Sequence, residues 1–145
     1  MMTFDIKDLY VNILIKETLA ITKTLLSQYN NEHITKKIIT ILEIILQQNY
    51  FSFQDNIYQP EKGISTGSPI YNTIAEIFLQ YLGNIHLKQL LDTATIVLYT
   101  RYINNILIMY NNKHTNPETI HNHMNKIHSN LQFITTHEHN KSMFL

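Results

Sequence analysis

Thr95-Ile96-Val97-Leu98-Tyr99-Thr100-Arg101-Tyr102-Ile103-Asn104-Asn105-Ile106-Leu107-Ile108-Met109-Tyr110 decides how this chain folds. Residues 95–102 and 106–110 are rich in β-branched and aromatic side chains, which suit a pleated and half-covered surface. Only three positions separate the two runs, two of them Asn104 and Asn105. So short a break leaves room only for the chain to reverse, and a tight antiparallel hairpin is expected. Asparagine is well tolerated in such turns, so its presence there does not weaken the expectation.

Upstream of this hairpin, Ile70, Ile74, Ile77, Phe78, Tyr81 and Leu82 recur at helical spacing behind Pro69, a residue permitted in a first turn. This helix is expected to be the most buried. Residues 59–69 hold two of the three glycines and two of the three prolines, the composition of a shaped loop. Before it, Phe51, Phe53 and Ile57 surround Asp55 and Asn56, which predicts a hairpin over residues 50–58 with those two at its turn. Ile34, Ile38, Ile41, Leu42 and Ile45 lie on one helical face, expected to pack on a sheet and to end near Asn49. Asn30 and Asn31 separate that helix from another marked by Leu14, Leu19, Leu25 and Leu26, and residues 3–10 alternate as a short strand should. Downstream, Pro117 opens an amphipathic helix with Ile120, Met124 and Ile127 on one face, and residues 131–136 alternate as a last strand. The sum is an α+β domain, a small antiparallel sheet packed on helices on one face, with no internal repeat.

The 145 residues, 44% hydrophobic and 15% charged, suit one domain with a core of its own. Eleven basic and eleven acidic residues cancel, whereas a self-sufficient nucleic-acid binder carries a basic excess. No Cys is present, so neither a disulfide framework nor a thiolate metal site is available. The most apolar run, residues 38–46, is interrupted by Thr40 and Glu43 and is far shorter than the roughly 20 apolar residues of a membrane span, so no membrane partner is expected. The N-terminus lacks the succession of a secretory signal, and an intracellular location, nuclear included, is the default expectation.

Three blocks, in order, match the motifs lettered A, B and C in reverse transcriptases: Phe4-Asp5-Ile6-Lys7-Asp8-Leu9-Tyr10, Gly63-Ile64-Ser65-Thr66-Gly67-Ser68-Pro69, and Arg101-Tyr102-Ile103-Asn104-Asn105-Ile106. A fourth stretch with Asn125, Ile127-His128, Leu131-Gln132-Phe133-Ile134-Thr135, Glu138 and Phe144-Leu145 looks like the segment that follows the catalytic hairpin in Penelope-like retroelements. The chain therefore resembles a reverse-transcriptase palm, that of an RNA-directed DNA polymerase, with the fingers and thumb segments expected to be missing. The resemblance implies Mg²⁺ as cofactor and an RNA template, a DNA primer and a deoxynucleoside triphosphate as partners. Under it, Asp5 is the first metal anchor. Asp8 and Leu9 lie where backbone amides approach the triphosphate, and Tyr10 lies where an aromatic rejects the 2′-hydroxyl. Gly67, Ser68 and Pro69 fall on the nucleotide side of the second block; Gly63, with Arg101 and Tyr102, falls on the nucleic-acid side. Thr66 departs from the usual Met or Gln, and Tyr71-Asn72 from a second Ser-Pro. Read without the resemblance, Asp5 and Asp8 start a helix, Tyr10 fills core, Gly63 to Pro69 turn the chain, and Arg101 makes a surface salt bridge.

The third block bears on activity. A working motif reads Tyr, any residue, Asp, Asp; here it reads Tyr102, Ile103, Asn104, Asn105. Asparagine keeps the shape of aspartate without its charge, and its amide nitrogen repels a cation. Two of three metal-holding carboxylates are thus gone, and a folded but catalytically inactive, degenerate palm is expected. The alternative is a non-catalytic remnant acting at most as a weak nucleic-acid or protein binding module. Apolar surface left where fingers and thumb would dock predicts marginal stability or self-association. Six of the eight histidines follow residue 113, with His137 and His139 the better-spaced pair for a metal if on a strand, though no third ligand accompanies them. Ser68 lacks the partners of a hydrolase nucleophile, and the second block lacks the Lys of a phosphate-binding loop.

Overall fold

Alternation at the N-terminus builds β1 (Met2–Lys7), which buries Met2, Phe4 and Ile6 and turns Thr3, Asp5 and Lys7 the other way. The computed structural model describes residues 1–63 and 69–136. After β1 come α1 (Leu9–Asn12), α2 (Ile15–Ser27), α3 (Glu32–Gln47), β2 (Phe51–Phe53), β3 (Asn56–Tyr58), α4 (Pro69–His86) and α5 (Lys88–Asp92). The order closes with β4 (Ile96–Tyr102), β5 (Asn105–Tyr110), α6 (Pro117–Met124) and β6 (Gln132–Thr135). The fold is mixed α+β with a small antiparallel sheet. It groups into two compact units, Met1–Leu9 with Leu82–Leu145, and Tyr10–Tyr81.

The first unit carries the four-stranded sheet, in the order β4-β5-β1-β6. Phe4 lies opposite Ile106 and Ile6 opposite Phe133, so inward residues of three strands meet in one apolar layer. The inner face takes α6, whose His121 ring stacks on Phe4 with centroids 6.2 Å apart. Asn116 caps α6 by accepting from the Thr119 amide at 2.8 Å, and Pro117 occupies the first turn. Just past the helix, Asn125 binds both backbone groups of Phe133: its Oδ1 accepts from the amide at 2.9 Å and its Nδ2 donates to the carbonyl at 3.0 Å. The other face of the sheet carries Thr3, Asp5, Asn105 and Leu107 among exposed Leu98, Tyr102, Met109 and Ile134.

In the second unit α2 and α3 pack on each other, joined by a short turn. Asn31 starts α3 by accepting from the Ile34 amide at 2.9 Å. The β2–β3 hairpin leaves every one of its strand residues exposed, with Phe51 stacked on Tyr58. Within α4, Tyr71, Ile74, Ala75, Phe78, Leu79 and Leu82 are buried, more than in any other described helix, as expected of it, while Ile70, Ile77 and Tyr81 of the expected face are only half-buried. No helix among the described residues is long and apolar enough to cross a membrane.

Three expectations need correction. The strand expected over residues 3–10 ends at Lys7, because Asp8 takes a left-handed φ of +49° and Leu9 and Tyr10 then wind into α1. Aspartate tolerates that geometry better than most residues, which ends the strand at little cost. The turn of the first hairpin is Gln54-Asp55, one residue earlier than expected, since a two-residue loop of this kind wants positive φ at both positions and these have +49° and +60°. Finally, the isoleucine face of α3 does not lie on a sheet: α3 packs on α2, and Ile34, Ile41 and Ile45 are exposed.

Candidate active site

Strand parity and register place the first group of candidate residues. Asp5 faces the open side of the sheet and stands opposite Asn105 on β5. The β4–β5 loop is Ile103-Asn104, and the Asn104 carbonyl accepts from the Ile6 amide at 2.9 Å, which holds the loop against β1. From there Asn104 Nδ2 donates to Asp5 Oδ1 at 2.6 Å, and Asn105 Nδ2 donates to Asn104 Oδ1 at 3.3 Å. Asp5, Asn104 and Asn105 therefore form one chain of side chains on the open face.

Two features of the turn were not legible in the sequence. Ile103, a β-branched residue, adopts φ +54°, a conformation that costs such residues about 1–2 kcal/mol. Arg101 donates from Nη1 to the Ile103 carbonyl at 3.0 Å, so its guanidinium braces the loop it flanks. Tyr102 projects from the same hairpin with 76% of its surface exposed, on the Asn105 side of the sheet.

The charge at this cluster is that of a single carboxylate. A hard divalent cation is held by several oxygens, preferably anionic ones. Here one Asp5 oxygen is engaged by an amide N–H, and the neighbours are neutral. Among the described residues, no group of three or more His, Cys, Asp or Glu could hold a metal ion.

The second unit brings together other residues singled out above. Tyr10 donates its hydroxyl to Asn72 Oδ1 at 2.7 Å. Gly63 has φ +78°, and a β-carbon there would lie 2.5 Å from the Val11 carbonyl oxygen and 2.7 Å from that of Tyr10. Only glycine allows the loop to approach α1 so closely. Asn49, 4% exposed, donates to the Gly63 carbonyl at 3.3 Å and secures the same approach. Tyr10 and Gly63, nominated from different blocks, are thus neighbours; Asn49 and Asn72 were not nominated. In the sequence Asn72 stands out only as a departure from Ser-Pro.

Asp8 is exposed at its left-handed turn, and the Leu9 side chain is buried, so anything Leu9 offers a ligand comes from its backbone. Pro69 opens α4, while Gly67 and Ser68 lie outside the described residues, as do His137 and His139. On α6, His121 stacks on Phe4 whereas the His123 Nε2 lies 3.2 Å from the His86 carbonyl, so each ring has its own surroundings. Comparison of the sequence with protein-family models and with curated proteins finds no match.

Proposed function

We propose that this chain is a reverse-transcriptase palm, RNA-directed DNA polymerase by descent, whose metal centre has been neutralised so that it does not extend a primer. One observation supports this above others: Asp5 and Asn104, 99 positions apart in sequence, meet side chain to side chain at 2.6 Å. A two-metal nucleotidyl transferase needs carboxylates from two such segments to converge. The juxtaposition is the one the family's chemistry requires, and the chemistry has been removed from one side of it.

Asp5 with two amides does not fit a Mg²⁺ pair, and Mg²⁺ at Asp5 alone is bound weakly. Template, primer and deoxynucleoside triphosphate remain the ligand classes of this reading, with Tyr10 the residue that would meet the sugar. Exposed Leu98, Tyr102, Met109 and Ile134 around Asp5 favour a second reading, a non-catalytic binding module that uses the same face.

Primer extension with Mg²⁺ or Mn²⁺ is expected to remain at the level of an Asp5→Ala control. Incorporation clearly above that control would overturn the inactive reading. Metal binding tests the family reading separately. The double change Asn104→Asp with Asn105→Asp is expected to raise Mn²⁺ affinity by about tenfold or more, since two further carboxylates then surround the ion. Adding Asp5→Ala should abolish the gain. If the double change leaves Mn²⁺ affinity where it was, the palm assignment fails.

A further inference from the structure

One carboxylate among amides does not hold a metal pair, which leaves Asp5 with a different partner. Asp5 and Asn104 are both half-buried, and the 2.6 Å between Asn104 Nδ2 and Asp5 Oδ1 is the short separation of a hydrogen bond to an ionised group, stronger than one between neutral groups. Asn104 is fastened at three points. Its backbone carbonyl accepts from the Ile6 amide at 2.9 Å, its Nδ2 reaches Asp5, and its Oδ1 accepts from Asn105 at 3.3 Å. One residue earlier, Ile103 stands at φ +54° with its carbonyl bound by Arg101 at 3.0 Å. A backbone conformation that a β-branched residue resists persists only where its surroundings over-determine it. Arg101 ties the turn to its own strand β4, whereas Asp5 and Ile6 tie it to β1.

We infer that Asp5 and Asn104 form a latch: the amide donates to the carboxylate and fastens the strained β4–β5 turn to β1 without any ion. The chemistry of the alternative argues for it. A carboxylate at position 104 would face Asp5 at hydrogen-bond distance, two like charges that need a cation between them. The amide brings a hydrogen to that place, so attraction replaces repulsion and this end of the sheet closes in the absence of divalent ions. Asp5 is then a positioning residue for the turn, and its charge is used within the fold. Every group involved lies in the first compact unit. The latch follows from these contacts alone, so it stands or falls apart from the polymerase reading. That reading is tested by the Mn²⁺ affinity of the double change at 104 and 105; the latch is tested by stability and by exchange of the Ile6 amide.

A double-mutant cycle in EDTA isolates the pair. Asp5→Asn leaves two neutral amides and Asn104→Asp leaves two carboxylates; each should lower the urea midpoint, the second more. The swapped pair, Asp5→Asn with Asn104→Asp, again sets an amide against a carboxylate and should return the midpoint close to that of the parent protein. Side chains that merely fill space give no such rescue. If Asn104→Asp does not fold in EDTA, recovery of folded protein in the swapped pair is the same rescue. Hydrogen exchange reads the turn itself. In Asp5→Ala the Ile6 amide should exchange about tenfold to a hundredfold faster, a hydrogen bond to a charged group having been lost beside it. The Phe133 amide, held by Asn125 at 2.9 Å, should change less. Mn²⁺ should leave the parent's midpoint where it stands in EDTA and raise that of Asn104→Asp. Three results would overturn the inference: a swapped pair no more stable than Asn104→Asp alone, equal acceleration at Ile6 and Phe133, or a parent protein whose midpoint rises with Mn²⁺.

Discussion

A methyl group at Gly63 would sit 2.5 Å from the Val11 carbonyl oxygen, at a backbone φ of +78° that side chains resist. Neither the carbonyl nor α1 can yield without moving backbone, so Gly63→Ala is expected to destabilise by about 2–4 kcal/mol, read as a lower urea midpoint. The opposite case is Ile103, which holds φ +54° against its own branching. Ile103→Gly should raise stability by about 1 kcal/mol in the same experiment. No change, or a loss, would mean that the partly exposed side chain contributes more than its backbone strain costs. At this scale the sequence was a partial guide. A glycine in a Gly- and Pro-rich loop advertises a special conformation, but which atom it approaches is set by residues some 50 positions away. The strain at Ile103 has no sequence signal of its own, since isoleucine is ordinary in the strands on either side.

Elements were more legible than their partners. The hairpin of β4 and β5, helices α2, α3, α4 and α6 and the last strand follow from local periodicity, because which side chains share a face depends only on the repeat of the backbone, whereas the short helices α1 and α5 do not. What holds α6 to β6 does not follow from it. Asn125 satisfies the amide and the carbonyl of Phe133 at once, standing in for a neighbouring strand. Asn125→Ala should cost about 2–3 kcal/mol, two backbone groups being left without their partner, and the Phe133 amide should exchange faster with solvent than in the parent protein. Unchanged exchange at Phe133 would show that the bond is incidental. The α3 face departs from expectation for a related reason. A broad apolar arc reveals that a helix has something to cover, and two lines of isoleucine and leucine are equally good candidates until a neighbour takes one.

Over the whole molecule, charge allows the firmest expectation. With 11 basic and 11 acidic residues, there is little counterion release to drive binding to a phosphate backbone. Fluorescence anisotropy with a labelled RNA–DNA hybrid at physiological salt should therefore show no saturable binding at micromolar protein, and tight salt-dependent binding would contradict this. The sequence by itself determined the chemistry available: Asp5 and Asp8 in the first block, two amides at Asn104 and Asn105, no thiol, no net charge, and an order of most strands and helices written in short-range periodicity. Only the tertiary structure decided that Asp5 and Asn104 meet, that Tyr10 is tied to Asn72, and that Ile34, Ile41 and Ile45 of α3 stay exposed. The physical reason is one of range. Periodicity and composition act between residues a few positions apart, whereas pairing is settled by competition among whole surfaces, most of them far apart along the chain.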